Sequence, residues 1–489
     1  MIEIDGRRLD LPALAAAATA ATQVRLAPSA LERMAESQRS AQATAKIRPV
    51  YGRSTGVGAN RSVTLNQVGM EGDVHGLNLL RSHAVDAGKA LDRETVRAML
   101  IIRLSQLAAA SSGISPAVAE ALAGLINADA LPEVREFGGI GTADLPALSG
   151  TALTLLGERP TMDGQKISAP LESWATEDAL PFISSNALTI AQAVVAHQKL
   201  ATLLENLTAA SALSFTAMSG NPEAFGPEVA RAADTAAVAE MAQVLHELVD
   251  RDHTPARIQD PYCLRTLPQV LGSMREELDA LQSLLERIVV AGNENPLVFG
   301  SAQEGTNGVA HHGLFQMTTL ARRVDALHLA VGAACATILR RIDLLCDPLY
   351  TGLNRFLAAD DTGQSGVMML EYVAAAAAGQ IRANAQPASL QTVVLSLGAE
   401  EDASFASVGT SQLSATIQAF STIIGIEFLC ATRALRLQGR TPAGFRSQRL
   451  RAAFTSGLGL PSDVQDRDLR QDVDAAVQIV LRPGFGYSR

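Results

Sequence analysis

Two stretches of this chain repeat apolar residues every three or four positions over about five to seven helical turns. Leu271, Met274, Leu278, Leu281, Leu284 and Ile288 make the first stripe. Leu320, Val324, Leu327, Val331, Cys335, Ile338, Ile342 and Leu345 make the second. Such spacing gathers one face of an α-helix, and a face that long is buried only against other long helices. Segments 373–378 and 417–434 add further apolar helices. Aromatic residues are only 4% of the chain, so Ala, Leu and Val must build the core, a mix that favours helix over strand. The predicted fold class is all-α, a long-helix bundle behind a smaller loop-rich N-terminal region. With 489 residues the chain exceeds one small core. The expected division is 1–183 for the N-terminal region with its active-site loops, 184–435 for the central bundle and 436–489 for a C-terminal helical tail.

Helical pattern fails in two early loops. Residues 49–58 read Pro-Val-Tyr-Gly-Arg-Ser-Thr-Gly-Val-Gly, and three glycines so close suit a backbone that turns tightly. Residues 137–144 read Phe-Gly-Gly-Ile-Gly-Thr-Ala-Asp. Helices are expected at 94–110, 116–131 and 151–156, and a polar connector over 160–176 with a hairpin at 162–164.

Charge and cysteine usage exclude several classes. The net charge is −10, and a nucleic-acid partner needs a concentrated basic surface. Arg433, Arg436 and Arg440, then Arg446, Arg449 and Arg451, are the nearest candidates and read as a solvated helix face. Cys263, Cys335, Cys346 and Cys430 lack metal-knuckle spacing and read as buried reduced thiols, so no metal is expected. No apolar run approaches the roughly 20 residues of a membrane span, and segment 12–18 is short and preceded by the acids Glu3, Asp5 and Asp10, where a signal peptide wants a basic start. A cytoplasmic location without a membrane partner is the expectation.

Several residues carry possible chemistry, each beside a plainer reading. Residues 257–272, interrupted by two prolines and a glycine, hold Gln259, Tyr262 and Arg265 at spacings of three, which one helical turn would align. Arg265 can grip a carboxylate with a two-pronged hydrogen bond, or form an ordinary surface ion pair. His311 and His312 share a loop. Adjacent histidines point different ways, so stacking or hydrogen bonding suits them better than a shared metal. Glu400, Glu401 and Asp402 read as a solvated turn, and His83 as a structural histidine.

Taken together and in order, these pieces resemble the aromatic amino acid lyase family, which includes histidine, phenylalanine and tyrosine ammonia-lyases and aminomutases. The resemblance runs over about residues 1–430. It rests on Val50-Tyr51-Gly52 with Thr55, Gly56 and Gly58, on Ser82-His83-Ala84, and on Gln259-Asp-Pro-Tyr-Cys-Leu-Arg265. Asn295-Pro-Leu-Val298, Pro387-Ala388-Ser389 and Glu401-Asp402 complete it. It implies that Tyr51 acts as base at the substrate's β-carbon and that Arg265 binds the carboxylate. It implies that Tyr262 and Gln259 line and orient the site, and that His83 and Glu401 face the substrate ring. A homotetramer whose sites draw on several subunits is implied too.

The departures bear on the chemistry. The family's Ala-Ser-Gly before an aspartate cyclises to methylideneimidazolone. Here Gly141, Thr142 and Ala143 precede Asp144, in a loop one residue shorter and without serine. The family asparagine falls at Ser184, with Asn186 two positions later. His311 stands at a phenylalanine position and Ala310 at an asparagine. Arg53 lies where a small or apolar residue is usual. The expectation is therefore no cofactor and a small-molecule carboxylate substrate, handled by proton abstraction and elimination or addition. A quaternary ammonium of a betaine is one suitable leaving group. Two alternatives stand beside it: a non-catalytic ligand- or partner-binding homologue, and an ammonia-lyase with an unusual prosthetic group from Gly141-Thr142-Ala143.

Overall fold

A computed structural model describes residues 1–65, 74–168, 170–251 and 253–484. The fold is all-α. Long helices span Ala187–Ala217, Leu267–Ile288, Thr318–Cys346, Met368–Asn384 and Ala406–Leu437. Every member of the second leucine stripe is buried, as is the first except Ile288, which is half-buried and passes its place to Leu285 and Val289. Among the described residues, strand is confined to three two-stranded sheets. Ile2–Ile4 runs parallel to Val24–Leu26, Ala87–Ala90 pairs antiparallel with Arg135–Phe137, and Leu297–Phe299 pairs antiparallel with Gly308–Ala310.

By compactness the chain forms two units that interleave along the sequence. The first comprises Met1–Ala196, Leu281–Val324 and Pro387–Ser411; the second comprises His197–Ala280, Asp325–Gln386 and Gln412–Arg489. Distant segments join one unit because the long helices carry the chain out of it and back.

In the first unit the helix Arg93–Ala108 is capped by Asp92 and buried at every position from Thr95 onward. Its Arg103 is fully buried and donates to Glu294 at 2.7 Å, to the carbonyl of Phe182 at 3.0 Å and to that of Pro181. A buried ion pair is a weak source of net stability, but losing one partner costs about 3–5 kcal/mol because a bare charge remains. The pair thus fixes two loops, the one leading to Ser184 and the one carrying Asn295. In the second unit Arg341 grips both carboxylate oxygens of Glu427 at 2.6 and 2.9 Å and donates to Cys263 O at 3.0 Å. That last bond holds the one-turn helix Tyr262–Arg265.

Several expectations need correction. The helix expected at 151–156 is Leu145–Leu155, started by Pro146 at its first turn. The expected hairpin at 162–164 is a tight turn closed by Gly164 N to Thr161 O at 2.9 Å, without paired strands. Arg433 is buried rather than solvated. Two stretches, Thr176–Ala217 and Ala406–Leu437, are long and apolar enough to cross a membrane, because Ser, Thr and Gln scattered among Ala and Leu disguise their length. Of those windows 94% and 72% is buried inside the fold, as in core helices.

Candidate functional site

The first unit holds a cavity of about 810 Å³. Of the residues singled out from sequence, Tyr51, Thr142, Ala143, Ser184, His311 and Glu401 line it. Asn186 and Gly141 stand behind its wall. His83, Gln259, Tyr262 and Arg265 are not among the lining residues, the last three belonging to the second unit.

Tyr51 is placed by a turn whose neighbour Val50 packs in a small core with Ala41, Val298 and Val309. Gly52 has φ +71°, and a Cβ there would come within 2.1 Å of Leu180 Cδ2, so glycine is required. The backbone N–H of Tyr51 donates to His311 Nε2 at 3.2 Å, and its phenol oxygen accepts from Gly58 N at 2.7 Å. Ser396 Oγ accepts in turn from Ala59 N at 3.0 Å, so the Gly58–Asn60 turn bridges Tyr51 to the 396–400 segment. Burial pushes the Tyr51 phenol above its usual value near 10; the Gly58 N–H opposes this, Glu400 adds to it and Arg61 opposes it. Tyr51 therefore rests as a neutral phenol, against the lowered pKa a ready base would need.

His311 is held neutral by burial and by the nearby Arg48 and His312, consistent with its accepting role. His312 is structural: Nε2 donates to Glu294 O at 2.8 Å and Nδ1 accepts from Leu314 N at 3.0 Å. His83 ends the helix Val74–His83, with Nδ1 2.9 Å from Leu79 O and 3.0 Å from Ser82 Oγ.

The altered segment is tightly held. Gly141 has φ +85°, and a Cβ on it would meet Ser404 Oγ at 2.2 Å. Its carbonyl accepts from Ser404 Oγ at 2.8 Å and from Met317 N at 3.4 Å. Ala143 sits at φ +88°, a conformation that strains any residue with a Cβ. Its N–H donates to Asn186 Oδ1 at 3.0 Å, and Asn186 Nδ2 donates to Phe315 O at 2.7 Å. Ser184 Oγ accepts from Asn295 N at 3.2 Å. Asp144 is buried at the start of the helix Ala187–Ala217, accepting from Thr189 N and Thr189 Oγ1, both at 2.8 Å. Burial pushes its carboxyl up to about 6, against those bonds and one from Leu188 N.

Sequence reasoning missed Arg61 and Gln316, both in the lining. Arg61 follows the last glycine of the loop by three positions, which was a usable signal. Gln316 donates to Asp402 at 2.8 Å. The acids 400–402, read as a solvated turn, form one wall of the cavity. Arg53 does not line it. Its guanidinium turns to the carbonyls of Ser112 and Gly113 at 3.0 and 2.8 Å. Among the described residues no group of three or more His, Cys, Asp or Glu could hold a metal ion.

In the second unit the Arg265 guanidinium lies 4.4 Å from the centre of the Tyr262 ring, a cation–π contact. Its Nε is buried with no hydrogen-bond partner among the described residues, while Tyr262 is 69% exposed.

Residues 9–456 match the pattern of the aromatic amino acid lyases. The chain is 31% identical to a histidine ammonia-lyase of Streptomyces coelicolor, over 94% of this chain and 93% of that one. Its fold is shared by a phenylalanine aminomutase of Pantoea agglomerans, at a TM-score of 0.91 and 23% identity over 100% of both chains. It is shared by an ergothioneine-degrading enzyme, ergothionase, of Treponema denticola, at a TM-score of 0.89 and 23% identity over 98% of each.

Proposed function

The chain belongs to the aromatic amino acid lyase family, and from that premise we propose that it is a lyase for a small carboxylate-bearing molecule that works without methylideneimidazolone. The observation that carries this reading is the Gly141-Thr142-Ala143 segment. These residues do not fit the group: no serine is present, Thr142 would leave a methyl on the alkene, and Ala143 carries a Cβ at φ +88° where the family has glycine.

Without an electrophile, ammonia is too poor a leaving group for a lone tyrosine, whose proton transfer is worth roughly two to four orders of magnitude. A quaternary ammonium is better, because it cannot lose its charge by deprotonation before it leaves as a neutral amine. In that elimination Tyr51, as phenolate, takes the β-proton. The C–H pair becomes the new C=C bond, and the C–N pair leaves with the amine. Three acids at 400–402 against the one cation of Arg61 favour a positively charged headgroup in the cavity. A cation bound there also draws the Tyr51 phenol down toward ionisation. That an ergothioneine-degrading enzyme shares the fold accords with this substrate class. The carboxylate falls to Arg265 of a neighbouring subunit in a homotetramer, with His83, Gln259 and Tyr262 orienting the ring. The Nε of Arg265, buried with no hydrogen-bond partner among the described residues, and Ile258, 94% exposed, support such an assembly. The cytoplasm is the proposed location.

The test is release of amine from an imidazole-bearing betaine. Wild-type turnover that vanishes in Tyr51→Phe supports the proposal. Binding without turnover would favour the non-catalytic homologue. A second reading, a ring made from Gly141-Thr142-Ala143, draws on the hydrogen bonds at Gly141 O and Ala143 N, the two groups such a ring would join.

A further inference from the structure

Arg433 and Arg436 line a cavity of about 210 Å³ in the second unit, together with Thr432. We infer that this cavity is a binding site for one small oxyanion, a phosphate or a carboxylate, held by Arg433, Arg436 and Thr432.

The plain alternative is that both arginines only clamp backbone, and part of each does. Arg433 donates through Nε to Leu357 O at 2.9 Å and through Nη2 to Val464 O at 2.6 Å. Arg436 donates through Nη1 to Pro461 O and through Nη2 to Gly457 O and Leu460 O, each at 3.0 Å. These bonds leave Nη1 of Arg433 and Nε of Arg436 without an acceptor among the described residues. Thr432 is fully buried, and its Oγ1 has no hydrogen-bond partner among them either. A buried hydroxyl is costly to leave unpaired, and the two free guanidinium N–H groups stand on the same cavity wall.

Asp463 and Asp472 also line the cavity, and each is engaged by other partners. Asp472 has one oxygen on Arg467 Nη1 at 2.7 Å and the other on Arg467 Nη2 at 2.6 Å, and Asp463 Oδ1 accepts from Gln465 N at 3.0 Å. Desolvation holds both arginines below the usual guanidinium range, offset at Arg433 only in part by Cys430, Asp472 and Asp463 and deepened there by Arg467. At roughly 30 Å³ per water, the cavity has room for about seven waters, which suits a small anion and excludes a long one. An oxyanion accepts hydrogen bonds at several oxygens at once, so one such ion can take the Thr432 hydroxyl together with the free guanidinium N–H groups of the same wall.

The experiment is calorimetric titration of the full chain with inorganic phosphate, sulfate or acetate at constant ionic strength, with chloride as control. One oxyanion should bind per chain and raise the thermal midpoint. Phosphate and acetate arms separate the two sources. Thr432→Val breaks no bond in the ligand-free protein, so it should leave the ligand-free midpoint unchanged or higher while weakening binding roughly tenfold. Tyr51→Phe should bind the anion as the wild type does, which separates this site from the lyase cavity. The inference is overturned if no oxyanion binds at about 10 mM, if Thr432→Val binds as tightly as wild type, or if Tyr51→Phe abolishes binding.

Discussion

Asn186 holds Ala143 from behind the cavity wall, its Oδ1 accepting the Ala143 N–H at 3.0 Å while its Nδ2 is committed to Phe315 O. Asn186 is thereby a clamp on the altered segment, and Ser184, at the family's asparagine position, is left to face the cavity. Whatever reaction occurs here, the asparagine two positions downstream is occupied with backbone.

The clamp stores strain. Ala143 at φ +88° costs about 1–2 kcal/mol relative to an ordinary conformation, of which glycine would recover part after its own larger loss of chain entropy. Ala143→Gly should therefore stabilise the protein by roughly 0.5–1 kcal/mol in denaturant unfolding. An unchanged or lower midpoint would show that the segment is relaxed as it stands.

Intact mass decides the prosthetic group. Cyclisation expels two waters, so the unmodified sequence mass is expected, together with no ammonia from histidine, phenylalanine or tyrosine. A mass lower by two waters would establish a ring from Gly141-Thr142-Ala143.

Tyr51 predicts a pH dependence with a definite sign. A base with a raised pKa is protonated at neutral pH, so kcat/KM should climb with pH into the alkaline range. Glu400 is one cause of the rise. Glu400→Gln should therefore move the climbing limb to lower pH, whatever it does to binding. A limb that stays in place would remove Tyr51 as the titrating base.

Arg265→Lys keeps the charge but loses the planar fork. Carboxylate affinity should fall by roughly 1.5–3 kcal/mol by calorimetry, the scale of a charge-assisted hydrogen bond. Light scattering on the same samples should give a tetramer. Unchanged affinity would take Arg265 out of the site, and a monomer at micromolar concentration would leave no neighbour to supply it.

The helical fold was legible because burial imposes a 3.6-residue period, and the stripe from Leu320 to Leu345 is buried at each marked position. The tight loop around Tyr51 was legible because such a turn must carry glycines, as Gly52 and Gly58 with positive φ bear out, whereas Tyr51 itself was singled out by the family resemblance. Other features leave no local trace. Arg433 looks like a surface residue in sequence, since its burial depends on carbonyls 76 and 31 positions away. Arg53 looks like an intruder in the site until Ser112 and Gly113 are seen to draw it off. The wall of acids at 400–402 could be told from a solvated turn only by what stands opposite. Gln259, Tyr262 and Arg265 share a motif with the site but not its cavity wall within one chain.

The cavity wall comes from five separated stretches, beginning at Pro49 and ending at Asp402. Roughly 350 residues lie between them. At about 5–20 residues per second on the ribosome, the first wall waits roughly 20–70 s for the last. Until then Tyr51 lacks its acidic counterpart, and Gly58 and Ala59 lack the Ser396 segment they dock on. A growing chain is therefore chemically silent for most of its synthesis, and a message truncated ahead of codon 400 yields helices without a reaction chamber.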